Sequence, residues 1–191
     1  MEEEELLEQP KKKKKDKEKD KEKKSSRTVE TMYRTTMANH IRLSEMADSK
    51  AGLMVSVNSI IISIMTSFLV REFAANPKLL LPIILLVSVC LLTITFAMLS
   101  TKPSVKHQKN TEVDKLDLFF FGDYMKLSLN DYKKAMIEMM ENDTELRESL
   151  IENIYAQGRV IDRKFKLLGI AYMIFMYGFP LAIICFILIL F

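Results

Sequence analysis

Histidine and cysteine occur only twice each in the 191 residues, which limits what they could build. A metal site needs more ligands at short spacing, and a disulfide framework needs more cysteines. Cys90 and Cys185 both lie inside apolar runs and read as packed or lipid-facing thiols. Neither His40 nor His107 stands beside an aspartate, so adjacent His–Asp metal chemistry is missing, and no Ser/His/Asp set is present. There is no Walker motif, no glycine-rich dinucleotide loop and no HExxH pair. The sequence therefore predicts no catalytic residue, no metal and no cofactor, and a protein that is not an enzyme. Glycine and proline are scarce at five each, and β-branched alternation is absent. The folded part should be almost all helix.

What is present is segregated. Residues 1–24 hold almost nothing apolar, whereas three later runs hold almost nothing charged. The runs cover about 51–70, 79–100 and 167–191. About 20 apolar residues in a helix span about 30 Å, the thickness of a bilayer's hydrocarbon core. A domain this small cannot bury three helices that are apolar on every side. The expected fold is thus an all-α integral membrane protein, with three transmembrane helices and a cytoplasmic helical bundle built from extensions of the spans. A signal peptide is not expected, because the first run begins some 50 residues in and lacks a small-residue cleavage pattern.

Basic residues beside the spans set the orientation. Arg34, Arg42 and Lys50 precede the first run; Lys102, Lys106 and Lys109 follow the second; Arg159, Arg163, Lys164 and Lys166 precede the third. Only Arg71 and Lys78 fall in the short linker between the first two. The N-terminus and the middle segment are expected in the cytoplasm, and the C-terminus outside. Residues 1–27 read as a disordered charged tail, an acidic block followed by lysines, with too little apolar surface to offset chain entropy. No aromatic residue interleaves the lysines, which argues against a nucleic-acid partner.

From about residue 28 the pattern turns helical and should run into the first span as one helix. Arg42, Glu45, Ser49, Gly52, Ser56, Ser59, Ser63 and Thr66 are spaced by three and four in alternation. That heptad spacing keeps one stripe facing a left-handed partner. Inside the membrane the stripe is small and hydroxylated, which lets backbones approach closely. It fits either packing on the second or third span, or a seam between subunits. Asn58 lies about 100° from the stripe and should face protein or water.

In the middle segment, 101–115 reads as a connector in which His107 is solvated. Leu118, Phe119, Phe120 and Phe121 form an aromatic knot before Gly122. Ser128 with Asp131 fits a capping box opening a helix, with Leu129, Tyr132, Met136 and Met139 as its apolar face. Asn142 with Glu145 opens another, with Leu146, Leu150, Ile151, Ile154, Ile161 and Phe165 along one side, continuing into the third span. That span carries Gly178 and Ala182, a small-xxx-small pair, and Pro180 as a kink candidate.

The stretch IRLSEMADSKAGLMVSVNSIIISI resembles the opening signature of the Pycsar effector membrane domain, through Leu43, Ser44, Ala47, Asp48, Lys50, Ala51 and Asn58. Residues 118–140 and 151–168 resemble later blocks of that family in the same order, so the likeness covers about 30–185. The resemblance implies a bacterial antiphage effector of the inner membrane, paired with a pyrimidine nucleotide cyclase and activated by cyclic CMP or cyclic UMP. It implies abortive infection through damage to the inner membrane; the small, hydroxylated stripe adds the expectation of a homo-oligomer. A nucleotide site would need cations for the cyclic phosphate (Arg42, Lys50, Arg159, Arg163) and a stacking surface for the base (Phe119, Phe120, Tyr124). The seam residues expected to associate are Glu45, Ser49, Gly52, Ser56, Ser59, Ser63 and Thr66, and Glu45, Asp48 and Lys50 are the expected coupling group. In some relatives this domain follows an HD-type phosphohydrolase domain. The alternative role is therefore a non-toxic anchor or scaffold for a soluble signalling enzyme of that kind.

Overall fold

The computed structural model describes the backbone of residues 2–72, 77–103 and 116–190, and side chains within 27–69, 78–103 and 116–189. The connector residues 104–115, with His107, and residues 73–76 of the short linker lie outside the described residues. Every described element is a helix: α1 (Glu2–Glu72), a 3-10 turn (Pro77–Leu79), α2 (Leu80–Thr101), α3 (Phe121–Tyr124), α4 (Leu129–Glu141) and α5 (Asp143–Leu190). Met1–Asn39 and His40–Phe191 form two compact units. In the first, α1 follows the segment that composition reads as disordered. Acidic and lysine residues three or four apart favour a helical register there. In the second unit the remainder of α1 packs with α2 and α5.

Three described helices are long and apolar enough to cross a membrane: Arg27–Leu69, Leu80–Thr101 and Asp143–Ile189. Few of their apolar side chains are buried. Leu53, Ile60, Leu81, Leu91, Met176 and Leu188 are all more than half exposed, which suits lipid and not water. What is buried between the helices is small. Ala47, Ala51 and Met54 of α1 meet Ala97 of α2 and Leu168 and Ala171 of α5. Farther along, Leu86 and Cys90 of α2 meet Ala182 of α5, with Ile61, Ile62 and Met65 of α1 packed against them. A Cβ built on Gly178 would stand 2.8 Å from both methyls of Val89, so the third span's small-xxx-small pair lies against α2. Where lipid competes equally for apolar surface, such close approach is what holds helices together.

Between the two clusters sits a polar layer. Asn58 and Thr93 are fully buried. The Asn58 Nδ2 donates to the Met54 carbonyl at 2.8 Å and the Thr93 hydroxyl to the Val89 carbonyl at 2.8 Å. The Asn58 Oδ1 has no hydrogen-bond partner. Asn58 thus faces protein, as the cost of an amide in lipid requires.

The helices of the middle segment begin where their caps predict. Ser128 receives the Asp131 N–H at 3.2 Å while its hydroxyl donates to the Asp131 carboxylate at 2.7 Å. The Asn142 Oδ1 accepts the N–H groups of Thr144 and Glu145, and its Nδ2 donates to the Glu145 carboxylate. From that cap α5 runs 48 residues into the third span and continues through Pro180. Two apolar faces are narrower than their spacing predicts. On α4, Met139 is buried and Tyr132 and Met136 are half-buried, but Leu129, at the first turn, is 67% exposed. On α5, Ile151 is 63% exposed while Leu146, Leu150, Ile154, Ile161 and Phe165 are half-buried. Each outlier lies at the edge of its stripe, beyond the neighbouring helix.

Candidate functional site

Where the α1–α5 contact leaves the apolar spans, Lys164 of α5 reaches Ser44 and Asp48 of α1. Ser44 and Asp48 stand four residues apart, on one face of α1. The Lys164 ammonium donates to the Ser44 hydroxyl at 2.9 Å and to both Asp48 carboxylate oxygens at 2.8 Å. An ammonium has three protons, and this set of acceptors occupies all of them. The Lys164 side chain is 14% exposed and that of Asp48 44%. The pair therefore lies between the exposed case, worth about 0–1 kcal/mol, and the buried case, where removing one partner costs about 3–5 kcal/mol. One turn into the membrane, α1 and α5 touch through the alanine cluster. One turn or so the other way, His40 lies over Gly158, whose missing side chain leaves its Cβ position 3.8 Å from the His40 ring. The His40 Nδ1 is buried without a hydrogen-bond partner.

The heptad stripe lies on the opposite side of α1. Arg42, Glu45, Ser49, Gly52, Ser56, Ser59, Ser63 and Thr66 are all exposed. A Cβ built on Gly52 would meet nothing within 4 Å. Of the two partners the spacing allows, the second and third spans are thereby excluded for this face. Its hydroxyls close on their own helix: Ser56 donates to the Gly52 carbonyl, Ser59 to Val55 and Thr66 to Ile62, all within 2.8–3.0 Å. No lone donor faces lipid from these groups, and the face stays small and smooth.

The residues named for a cyclic nucleotide are spread over three regions. Arg42 and Lys50 are exposed on α1, and Arg159 and Arg163 are exposed on α5. Phe119 and Phe120 are half-buried before α3. Tyr124 is engaged with Tyr132 of α4, ring centroids 5.1 Å apart. Among the described residues, no hydrogen bond, ion pair or ring contact joins Arg42, Lys50 or Arg159 to these aromatics. The aromatic knot is fixed to α5 instead through Asp117. One carboxylate oxygen of Asp117 accepts the Phe119 N–H at 2.9 Å, and the other accepts the Nδ2 of buried Asn153 at 2.8 Å.

Lys164 and the Asp117–Asn153 tie escaped the sequence reading. Lys164 was fully accounted for by membrane orientation, as one of four basic residues before the third span. The signal that points to it is the Ser44/Asp48 pair, two acceptors on one helix face that need a cation. Among the described residues, no group of three or more His, Cys, Asp or Glu side chains could hold a metal ion.

Three helices long and apolar enough to cross a membrane, two of them continuous with helical segments outside the apolar stretch, define an all-helical, multi-span membrane protein. Comparison with protein families matches residues 31–191 to the Pycsar effector protein domain. The chain belongs to that family, whose members are transmembrane effectors of antiphage cyclic-nucleotide signalling and not a known catalytic family. Neither the curated proteins nor the solved structures give a match.

Proposed function

We propose that this protein is an inner-membrane effector, switched on by a cyclic pyrimidine nucleotide, that impairs the bilayer by self-association through α1. The observation that carries the reading is the outward hydroxyl face of α1, with open space at Gly52, on a helix whose other face is already packed. A membrane helix gains nothing from hydroxyls turned to lipid, whereas small residues on a second copy can approach them closely. At the foot of the face, Arg42 and Glu45 are exposed and make no ion pair among the described residues, so they suit one another across a contact between copies. Nucleotide contact repacks the cytoplasmic helices; the motion passes along α1 and α5; seams meet, and the membrane leaks. The signal comes from a pyrimidine nucleotide cyclase acting beside the effector, with the N-terminus in the cytoplasm and the C-terminus outside.

The test is membrane potential in cells expressing the chain, with cyclic CMP or cyclic UMP raised in turn by a co-expressed cyclase. Collapse with one nucleotide, and not in its absence, supports the effector and names the ligand. An intact potential throughout, with insertion verified, rejects it in favour of an anchor for a soluble enzyme.

A further inference from the structure

The crossing of α1 and α5 at the membrane surface is held by unequal contacts. Apolar contact there comes from Ala47, Ala51 and Met54 of α1 with Leu168 and Ala171 of α5, and from partly buried Val55, Phe165 and Phe175 packed against them. Three buried acceptor or donor positions on these helices are left without partners among the described residues: His40 Nδ1 and Asn58 Oδ1 on α1, either side of the crossing, and Asn153 Oδ1 on α5. A buried polar atom without a partner disfavours the state that buries it. Against this stands one strong tie, the Lys164 ammonium with all three protons on α1. Asp48 is 44% exposed, so water or a competing ion can reach it without prior unfolding. A charged pair is a poor source of bulk stability and a good means of choosing between two arrangements.

We propose that Lys164, Asp48 and Ser44 form an autoinhibitory latch that holds α1 and α5 in the quiescent arrangement. The inference rests on the effector reading for what is inhibited, but the latch itself is a statement about the crossing. Releasing it frees α1 to turn on the alanine contact, gives His40 Nδ1 access to water, and lets the outward hydroxyl face take up a partner.

The test uses the full chain in cells without any cyclase. Asp48→Asn and Lys164→Met should each collapse the membrane potential without nucleotide. The charge-swapped double variant, Asp48→Lys with Lys164→Asp, should restore quiescence. Ser44→Ala, which removes one of the three bonds, should give a partial leak and covers the case in which a charge variant fails to insert. Disulfide trapping between Ala47→Cys and Leu168→Cys, with Cys90 and Cys185 replaced by alanine, reads the crossing directly. Its yield should fall about tenfold in Asp48→Asn, equivalent to about 1.4 kcal/mol in the closed–open equilibrium, and recover in the swap. Unchanged trapping in the inserted single variants overturns the latch. Trapping that falls and recovers as expected, while no variant and no nucleotide ever disturbs the potential, upholds the latch and overturns the effector reading.

Discussion

Gly52 and Gly178 are both glycines of membrane spans, and their surroundings are opposite, open at the first and closed by α2 at the second. At Gly178 a side chain would meet Val89 at 2.8 Å, so Gly178→Leu should push α5 off α2 and lower the melting temperature of the detergent-solubilised protein. Overpacking of this kind costs typically about 1–3 kcal/mol. At Gly52 nothing stands within 4 Å, so Gly52→Leu should leave that melting temperature unchanged. Combined with Ser59→Leu it should abolish toxicity without affecting insertion, and toxicity retained by an inserted double variant counts against the seam. Asn58 gives a third residue-scale expectation. Its amide is buried with one oxygen unpartnered, so Asn58→Leu should raise thermal stability, as replacement of a half-satisfied polar group by an apolar one of similar size does. The two glycines also mark what spacing can reveal. Heptad pattern placed Gly52 on a stripe but could not say which way the stripe faced, because a span apolar on every side has no solvent face to orient it. Lys164 was hidden for a different reason, since its partners are about 120 residues away in sequence.

At the scale of elements, the helix starts and the three spans were legible because they depend on local chemistry. Ser128 and Asn142 cap α4 and α5 through bonds to residues two or three positions on, and apolar length alone marks a span. Asn142→Ala should cost about 0.5–2 kcal/mol locally. Hydrogen exchange should show faster exchange at 143–147 with protection in the third span unchanged. The continuity of α5 matters more than its start. A proline at Ala156 removes a backbone hydrogen bond and costs about 3 kcal/mol in a helix interior. It lies between the cytoplasmic cap and the latch, so Ala156→Pro should keep insertion while breaking the response to nucleotide. A wild-type potential collapse in that variant would show that the signal does not travel along α5. The narrower apolar faces at Leu129 and Ile151 were not legible, because periodicity marks a stripe and only the neighbouring helix decides how much of it is covered.

For the whole molecule, the two faces of α1 differ in what covers them. The inner face, with Ala47, Ala51 and Asn58, is occupied by α2 and α5, and the outer face carries the hydroxyls. The family match over residues 31–191 covers all three spans. A further expectation belongs at this scale. Crosslinking between copies through Ser56→Cys or Ser63→Cys should rise when the activating nucleotide is supplied, and crosslinking through the packed Ala51→Cys should not. Equal crosslinking at inner and outer positions would remove the basis for assigning association to the outer face. The residues proposed for nucleotide contact are the least legible part, because Arg42, Lys50, Arg159 and Arg163 are equally explained by orientation in the bilayer.

The unbroken length of α5 has a mechanical consequence. At 1.5 Å per residue its 48 residues make a rod of about 72 Å. Hydrocarbon claims about 30 Å of it, so more than half extends below the bilayer. With the Lys164 contact near the boundary as fulcrum, a lever arm of about 32 Å lies outside the bilayer, and a tilt of about 5° moves its far end by about 3 Å. A displacement no larger than the closing of a loop around a small ligand therefore suffices to rock the third span, and no helix need unfold to carry it.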